Sequence, residues 1–445
     1  MRGLSRRWSA ALVVVLAVGL AVVVSACGSS NKSSTGTAAA PAATNAAPAA
    51  TDASKCGDKP GQAATGTPIK LGAIATKQPG TDFTDIPNMA KAYFDCVNAN
   101  GGVNGHPIQY SIETEQTDPA QAASVAKKLI QTDKVVGIVG NTSIIECAVN
   151  HKYYEQQGFF IIDSGIAPEC YGTSNSAPVN MGPRYSSDGA TQAVIRAGAK
   201  KIVFDQSNVP GTGYIAAGPT AIAKDAGIPI KTLTENVPIQ DANSVALKEV
   251  QAAGSDGAVV LNFTPPEALK ILQAAQQQGL QDRVKAWACS TPCNTDFLAK
   301  ALGSQWDGKL LVNAELNLTS ANGPQSQLYR AVLAKYGKSV TGGLGSFSQM
   351  GFTEAQIAVE ALKGINGEYT AKSVNEAFKN VKDFKTDILC KPWYYGDAPL
   401  HIPNNTDRTV TPQGGKMVQK EDCFPISDVD PAIKQVRDIE AKQGS

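Results

Sequence analysis

The chain has 445 residues, with 40 Lys+Arg against 39 Asp+Glu and a formal net charge of +1. That balance gives no global attraction to nucleic acid, and 42% hydrophobic with 18% charged residues excludes a collagen, a coiled coil and a wholly disordered chain. Only one apolar run approaches membrane length, and it lies at the N-terminus, which excludes a multi-spanning transporter.

Arg2, Arg6 and Arg7 precede an apolar run from Ala10 to Val24. This is the charged-then-apolar order of a signal peptide. The run is shorter than the ~20 residues a spanning helix needs. It ends in Val24-Ser25-Ala26-Cys27-Gly28, which resembles the lipobox of bacterial lipoproteins. Small side chains suit the peptidase, and the Cys27 thiol would accept a diacylglyceryl group. The competing readings are a plain secretory signal and a single membrane anchor. The expectation is a signal peptide over 1–26 and lipidation at Cys27. Lipid chains would then anchor the protein to the cell membrane, facing outside the cytoplasm. Residues 28–66 are rich in Ser, Thr, Ala, Pro and Gly. They carry too little apolar surface to offset their ordering entropy, so 27–66 reads as a lipidated cysteine with a flexible tether.

Eight cysteines remain after Cys27, an even number in an exported chain, which suggests four disulfides. Sequence alone leaves the connectivity open. The preferred pairing is sequential: Cys56–Cys96, Cys147–Cys170, Cys289–Cys293 and Cys390–Cys423. Cys147 and Cys170 each follow a short apolar strand, and neighbouring parallel strands put both following loops at one sheet edge. Cys289 and Cys293 are spaced CxxxC, not the CxxC of a redox pair, and read as a loop staple. His106, His151 and His401 are too scattered to suggest zinc.

From residue 69 the chain alternates strand and helix. Ile69–Ala75 is a strand candidate. Ile86, Met89, Ala90, Tyr93, Phe94 and Val97 then form one helical face, which stops at Asn100-Gly101-Gly102. A second strand runs Ile108–Thr114. Asp118-Pro119 opens another helix, as N-cap and first helical residue, with Ala122, Val125, Ala126, Leu129 and Ile130 on its face. Strand 135–139, helix 143–157 and strand 159–162 follow. After a break near 185–200 the rhythm resumes at Ile202–Phe204 and continues through strands 228–233, 258–261 and 284–288. Helices are predicted at 243–253 and 266–278, then at 324–336, 349–363 and 371–380. Short apolar strands between amphipathic helices imply parallel sheets covered on both faces.

The segment Asn98-Ala99-Asn100-Gly101-Gly102-Val103-Asn104-Gly105, with Thr117-Asp118-Pro119 and its Ala-rich helix, resembles the type I periplasmic binding proteins. The likeness is to their branched-chain amino-acid (Leu/Ile/Val)-binding group, the substrate-binding lipoproteins of ABC importers. Val136–Ser143, Ser164–Glu169, Pro210–Tyr214 and Gly351–Ala355 extend it over about 67–385. The resemblance implies an α/β fold of two Rossmann-like lobes with parallel sheets, joined by a three-crossing hinge. Lobe one would be 67–187 with 314–388. Lobe two would be 188–313 with 389–445, which includes a C-terminal extension that fits the pattern poorly.

In open α/β sheets, ligands bind beyond the carboxyl ends of the strands, where helix N-termini favour anions. That rule and the resemblance select Asn141, Thr142 and Ser143 after one strand, and Ser164, Gly165 and Ile166 after the next. The lobe-one loop adds Lys77. Lobe two offers Pro210, Gly211, Thr212 and Tyr214, then Asn262 and Phe263, then Ser290. Thr142 and Ser143 also suit plain helix capping, and Phe263 also suits a core. A Cys147–Cys170 bridge would brace two of these loops. Amino-acid binders of the family carry an acidic residue after the strand matching 284–288, to meet the ligand ammonium. Here the loop reads Ala288-Cys289-Ser290-Thr291-Pro292. A buried ammonium without a carboxylate is costly, so the expected ligand is a small carboxylate or neutral polar compound.

The resemblance implies a monomer that captures a small molecule by lobe closure and delivers it to ABC permease subunits. The alternatives are a branched-chain amino-acid binding protein and a ligand-sensing lipoprotein with a membrane signalling partner; the fold does not separate them. No catalytic triad, P-loop, metal cluster or dinucleotide motif is evident, so no enzyme, cofactor, metal or nucleic-acid partner is expected.

Overall fold

The computed structural model describes residues 52–443. The expected signal peptide, Cys27 and the tether up to residue 51 lie outside them. No helix among the described residues is long and apolar enough to cross a membrane.

Two sheets organise residues 69–425. The first holds β1 (Ile69–Gln78), β2 (Thr81–Asp82), β3 (Ile108–Glu115), β4 (Gly137–Asn141), β5 (Ile161–Asp163) and β6 (Ser176–Pro178). Its order is β2-β1-β4-β5-β6, with β3 also paired to β1. The second holds β7 (Lys201–Ser207), β8 (Ile230–Glu235), β9 (Gly257–Asn262), β10 (Ala286–Cys289), β11 (Leu310–Asn313), β12 (Thr406–Gln413) and β13 (Lys416–Pro425). Its order is β13-β12-β11-β10-β9-β7-β8. The βα strands are parallel, and the antiparallel pairs are β1–β2, β11–β12 and β12–β13.

Helices cover both faces. In lobe one these are α1 (Asp85–Ala99), α2 (Pro119–Lys127), α3 (Glu146–Gln157) and α4 (Pro168–Tyr171). Lobe two uses α5 (Gly182–Arg196), α6 (Ala217–Asp225), α7 (Ala242–Ala253), α8 (Pro265–Gln277) and α9 (Asp296–Leu302). Then α10 (Pro324–Tyr336), α11 (Ser346–Lys363) and α12 (Ala371–Lys379) return to lobe one, and α13 (Pro431–Gln443) closes the chain. The apolar face read for α1 is buried at every position, against Phe352 and the rest of α11. Asp118 caps α2 by accepting from the Ala120 and Gln121 amides; such a cap is worth ~1 kcal/mol.

The chain crosses between lobes three times: after β6, after β11 and before β12. The three crossings are bonded together. Asn404 Nδ2 donates to the carbonyls of Val179 and Glu315, both at 3.2 Å. The first crossing comes earlier than the break read near 185–200, because α5 packs on the second sheet.

All four sequential disulfides form: Cys56–Cys96, Cys147–Cys170, Cys289–Cys293 and Cys390–Cys423. Two boundaries differ from the sequence reading. Residues 52–66 are not tether but a packed arm. Cys56 is bonded to Cys96 of α1, the Lys59 amide donates to Asn100 O at 2.9 Å, and the Ala64 amide donates to Asn98 O at 2.9 Å. One covalent link and a row of main-chain bonds order a stretch whose side chains alone would not. Residues 389–445 do not simply belong to lobe two. Leu389, Trp393 and Tyr395 are buried in the core of lobe one, the β12–β13 hairpin extends the second sheet, and α13 packs on Tyr171, Met181 and Tyr185 beside the crossings.

Candidate ligand-binding site

The lobes are closed on one another. Thr264 Oγ1 donates to Gly80 O at 3.2 Å. Thr295 pairs with Gly345, and the Ser346 amide donates to Asn294 O at 2.9 Å. On the other flank, the Tyr214 hydroxyl donates to Ile166 O. Between these contacts lies a cavity of about 90 Å³, bounded by both lobes and by the crossings.

Lobe one contributes Thr142 and Ser164, at the carboxyl ends of β4 and β5. Their main chains extend the sheet: the Thr142 amide donates to Ile74 O, and the Ser164 amide donates to Asn141 O, each at 2.9 Å. Thr142 is 3% exposed, and its Oγ1 has no partner. A buried hydroxyl without a bond costs roughly 1–3 kcal/mol, so this oxygen is poised for one. The Ser164 hydroxyl donates to Glu354 Oε1. Burial pushes the Glu354 carboxyl up to about 8 despite that bond.

The crossings contribute Asn180, the first turn of α5 through Gly182, Pro183 and Ser186, and Glu315. Glu315 is 1% exposed. Its Oε2 accepts from the Met181 amide. Burial pushes its carboxyl up to about 8, although the Met181 amide and the Thr291 hydroxyl favour the charged form. At neutral pH it is therefore a carboxylic acid that can donate a proton in a hydrogen bond. The α5 N-terminus adds the positive end of a four-turn helix. Among the described residues, no Lys, Arg or His lines the cavity.

Lobe two contributes Thr212, Asn262, Phe263 and Thr291. Asn262 Nδ2 donates to Ser187 Oγ at 2.7 Å, and Thr212 Oγ1 donates to Val209 O at 2.7 Å. These groups are held by their own lobe. The remaining wall is apolar, with Ile86, Ile144, Val209, Ile215, Phe347 and Met350 prominent.

Of the residues selected from sequence, Thr142, Ser164, Ile166, Thr212, Asn262 and Phe263 meet at this cavity. Phe263 serves core and wall together, being 2% exposed. The others lie elsewhere. Asn141 turns its Oδ1 to the Ile74 amide at 2.8 Å. Ser143 caps α3, accepting from the Glu146 amide at 3.0 Å and donating to Glu115 at 2.8 Å. Gly165 stands behind the wall; a Cβ there would come 2.6 Å from that of Cys170. Pro210 and Gly211 form the turn that positions Thr212, with Gly211 at φ +88°. The Tyr214 ring sits outside the cavity as the inter-lobe bond described above. Ser290 is buried beneath Thr291 and absent from the wall. Lys77 is exposed and faces Asp82 at 3.9 Å.

Glu315 supplies an acid close to the one that the loop after 284–288 lacks. That loop carries no acid, but the next strand end does. The run Leu310-Leu311-Val312-Asn313 is short enough to pass unnoticed among the helices that follow. Recognised as a strand, it would have drawn the same search beyond its carboxyl end to Glu315.

A family model described as periplasmic binding protein matches residues 68–415. The chain belongs to the periplasmic binding protein family. An amino acid binding protein from Pseudomonas aeruginosa is 25% identical over 195 residues, which cover 42% of this chain and 51% of that protein. The chain thus spans about half the length of the curated relative it matches. A branched chain amino acid ABC transporter protein from Thermus thermophilus, solved with bound valine, superposes with a TM-score of 0.71 at 15% identity, over 83% of this chain and 98% of that one. A fatty acid ABC transporter substrate-binding protein from Thermomonospora curvata gives 0.68 at 18% identity, over 84% and 97%. At these identities the two structures share the fold, while their ligands remain their own.

Proposed function

We propose that this protein is the lipid-anchored receptor of an ABC importer, and that its ligand is a molecule with an apolar body and a carboxylate or neutral polar head. The observation that carries the ligand reading is the unpartnered Thr142 hydroxyl, which shares a largely apolar cavity with Ser164 and Glu315. Thr142 and protonated Glu315 can donate hydrogen bonds, Ser164 having spent its own on Glu354, and the α5 N-terminus adds to them. Closure would bury the head against lobe one and the crossings and bring the lobe-two wall over the body. The family is one of binding proteins, which supports capture without turnover. Delivery to ABC permease subunits is supported by the similar structures. The lipid anchor rests on the Cys27 motif, and a monomeric state is part of the same reading.

Thermal unfolding of the soluble chain, with disulfides intact, against a panel of carboxylates, amides, amino acids and sugars tests this. A ligand at a hundred times Kd adds about 2.7 kcal/mol. Stabilisation by carboxylates or amides is expected; stabilisation by sugars alone would sink the head-group reading.

A second reading has its own observation. Ionised Glu315 would pair with an α-ammonium, which favours an amino acid such as the branched-chain ones. The two heads differ in sign with pH. A carboxylate needs Glu315 protonated and loses affinity above about pH 8. An ammonium needs it ionised and gains affinity over the same range.

A further inference from the structure

The inner cavity does not end at its own wall. Gly80, Thr81, Thr264, Pro292 and Phe347 also line a second, outer compartment of about 330 Å³. It lies between the two inter-lobe contacts at Gly80–Thr264 and Thr295–Gly345, and both contacts are part of its wall. Its acidic groups are already engaged. Asp85 accepts from the Thr341 and Gly342 amides at 2.7 and 2.6 Å. Glu267 accepts from the Ile239 amide at 2.7 Å and pairs with Lys270 at 2.8 Å. Asp82 accepts from the Thr84 amide at 2.9 Å. The apolar part of the wall is Pro265, Pro266, Pro292, Phe347 and a glycine-rich strip, and Gln78 with several Thr and Ser residues completes it. Phe297, on the same wall, is 46% exposed, one of two large hydrophobic side chains so exposed among the described residues.

We propose that the outer compartment is a tail subsite, so that the ligand is an elongated monocarboxylic acid whose neutral apolar chain leaves the inner cavity between Phe347 and Pro292 and ends against Phe297. This rests on the carboxylate-head reading of the same site. The five residues that line both spaces make them neighbours with a shared wall, which the chain would pass between Phe347 and Pro292. An exposed phenylalanine at its end gains by covering apolar surface. Glu267 is paired with Lys270 and Asp82 faces Lys77, but Asp85 is held by uncharged amide and hydroxyl donors, and no cation among the described residues lines the compartment; a chain ending in a second negative charge would be repelled there, while a neutral end would not.

The test is calorimetric titration of the disulfide-intact chain with straight-chain monocarboxylates from butanoate to dodecanoate. Terminal dicarboxylates of equal length and a Phe297→Ser variant complete the set. Among chains long enough to enter the outer compartment, each added methylene should tighten binding by about fourfold. Phe297→Ser should weaken the long members about tenfold and leave the shortest binder unchanged, because Phe297 is exposed and touches only the outer space. Dicarboxylates should show no gain with length. If short acids bind but affinity levels off or falls with length, the tail subsite is wrong and the head-group reading survives. If the long members bind Phe297→Ser as tightly as they bind the parent chain, the acyl chain takes another path and the proposal fails. If no carboxylate of any length binds, both readings fail together.

Discussion

The Tyr214 hydroxyl of lobe two donates to the Ile166 carbonyl of lobe one, on the edge of the ligand cavity. The bond exists only when the lobes are together, so its energy belongs to the closed state and not to either lobe alone. Tyr214→Phe keeps the ring and removes the bond. A net hydrogen bond is worth about 1 kcal/mol, so affinity should fall about fivefold, mostly through faster release. Stopped-flow dissociation beside equilibrium titration checks this; an unchanged release rate would show that the bond contributes nothing to closure.

Thr142→Val tests the head-group site. The side chain is nearly isosteric, and the hydroxyl it loses has no protein partner to strand. Stability should hold within ~1 kcal/mol or improve, while affinity for the preferred ligand should drop tenfold or more. Both are read from one set of thermal shifts with and without ligand. Equal loss of stability and affinity would mark Thr142 as a packing residue.

Glu315 makes stability depend on pH. Its folded carboxyl is raised to about 8 from an ordinary value of 4.5. Between those values the unfolded chain is ionised and the folded one is not, so the unfolded state binds fewer protons. Stability from this group is fully present below pH 4.5 and is lost as pH rises through about 8. Glu315→Gln should remove part of that slope, leaving the contribution of Glu354, which lies in the same range. Denaturant midpoints from pH 5 to 9 should show the variant gaining on the parent as pH rises. Parallel curves would mean that Glu315 is ionised in the folded protein.

Cys147–Cys170 ties α3 to α4 behind the Ser164–Ile166 wall. Replacing both cysteines with alanine opens a loop of moderate length, which should cost about 3 kcal/mol of global stability. The loop that carries Ser164 then loses its brace, so affinity should fall beyond what the lower melting temperature explains. Titration well below the melting temperature separates the two effects; wild-type affinity there would confine the bridge to a folding role.

Much of the architecture was legible because the relevant signals are local. The α1 face, the Asp118 cap and the buried strands state their environment in their own spacing. The Cys147–Cys170 pair was legible for a related reason, since parallel strands place consecutive loops side by side; the other three followed from sequential order alone. Site residues were legible only where the main chain alone sets direction. Thr142 and Ser164 follow strand ends and face the cavity, but Asn141 and Ser143, their neighbours, turn to Ile74 and Glu115. Adjacent side chains point to opposite sides, and no sequence rule chose the side. Glu315 was missed for a different reason. It sits on a crossing, and crossings are defined by contacts such as Asn404 to Val179 that are far apart in sequence. The packed arm at 52–66 failed similarly: composition reports side-chain burial, and this segment is held by a disulfide and by main-chain bonds.

Cys390 lies in the segment that buries Trp393 and Tyr395 in lobe one, while Cys423 lies in β13 at the far edge of the second sheet. The disulfide between them is therefore a further covalent link between the lobes, beside the third crossing, where Phe424 pairs with Asp407. A strap of fixed length bounds the angle through which the lobes can part. The open form of this receptor should be a narrow wedge, and its entrance will set a ceiling on the girth of what can enter, whatever length the interior accepts.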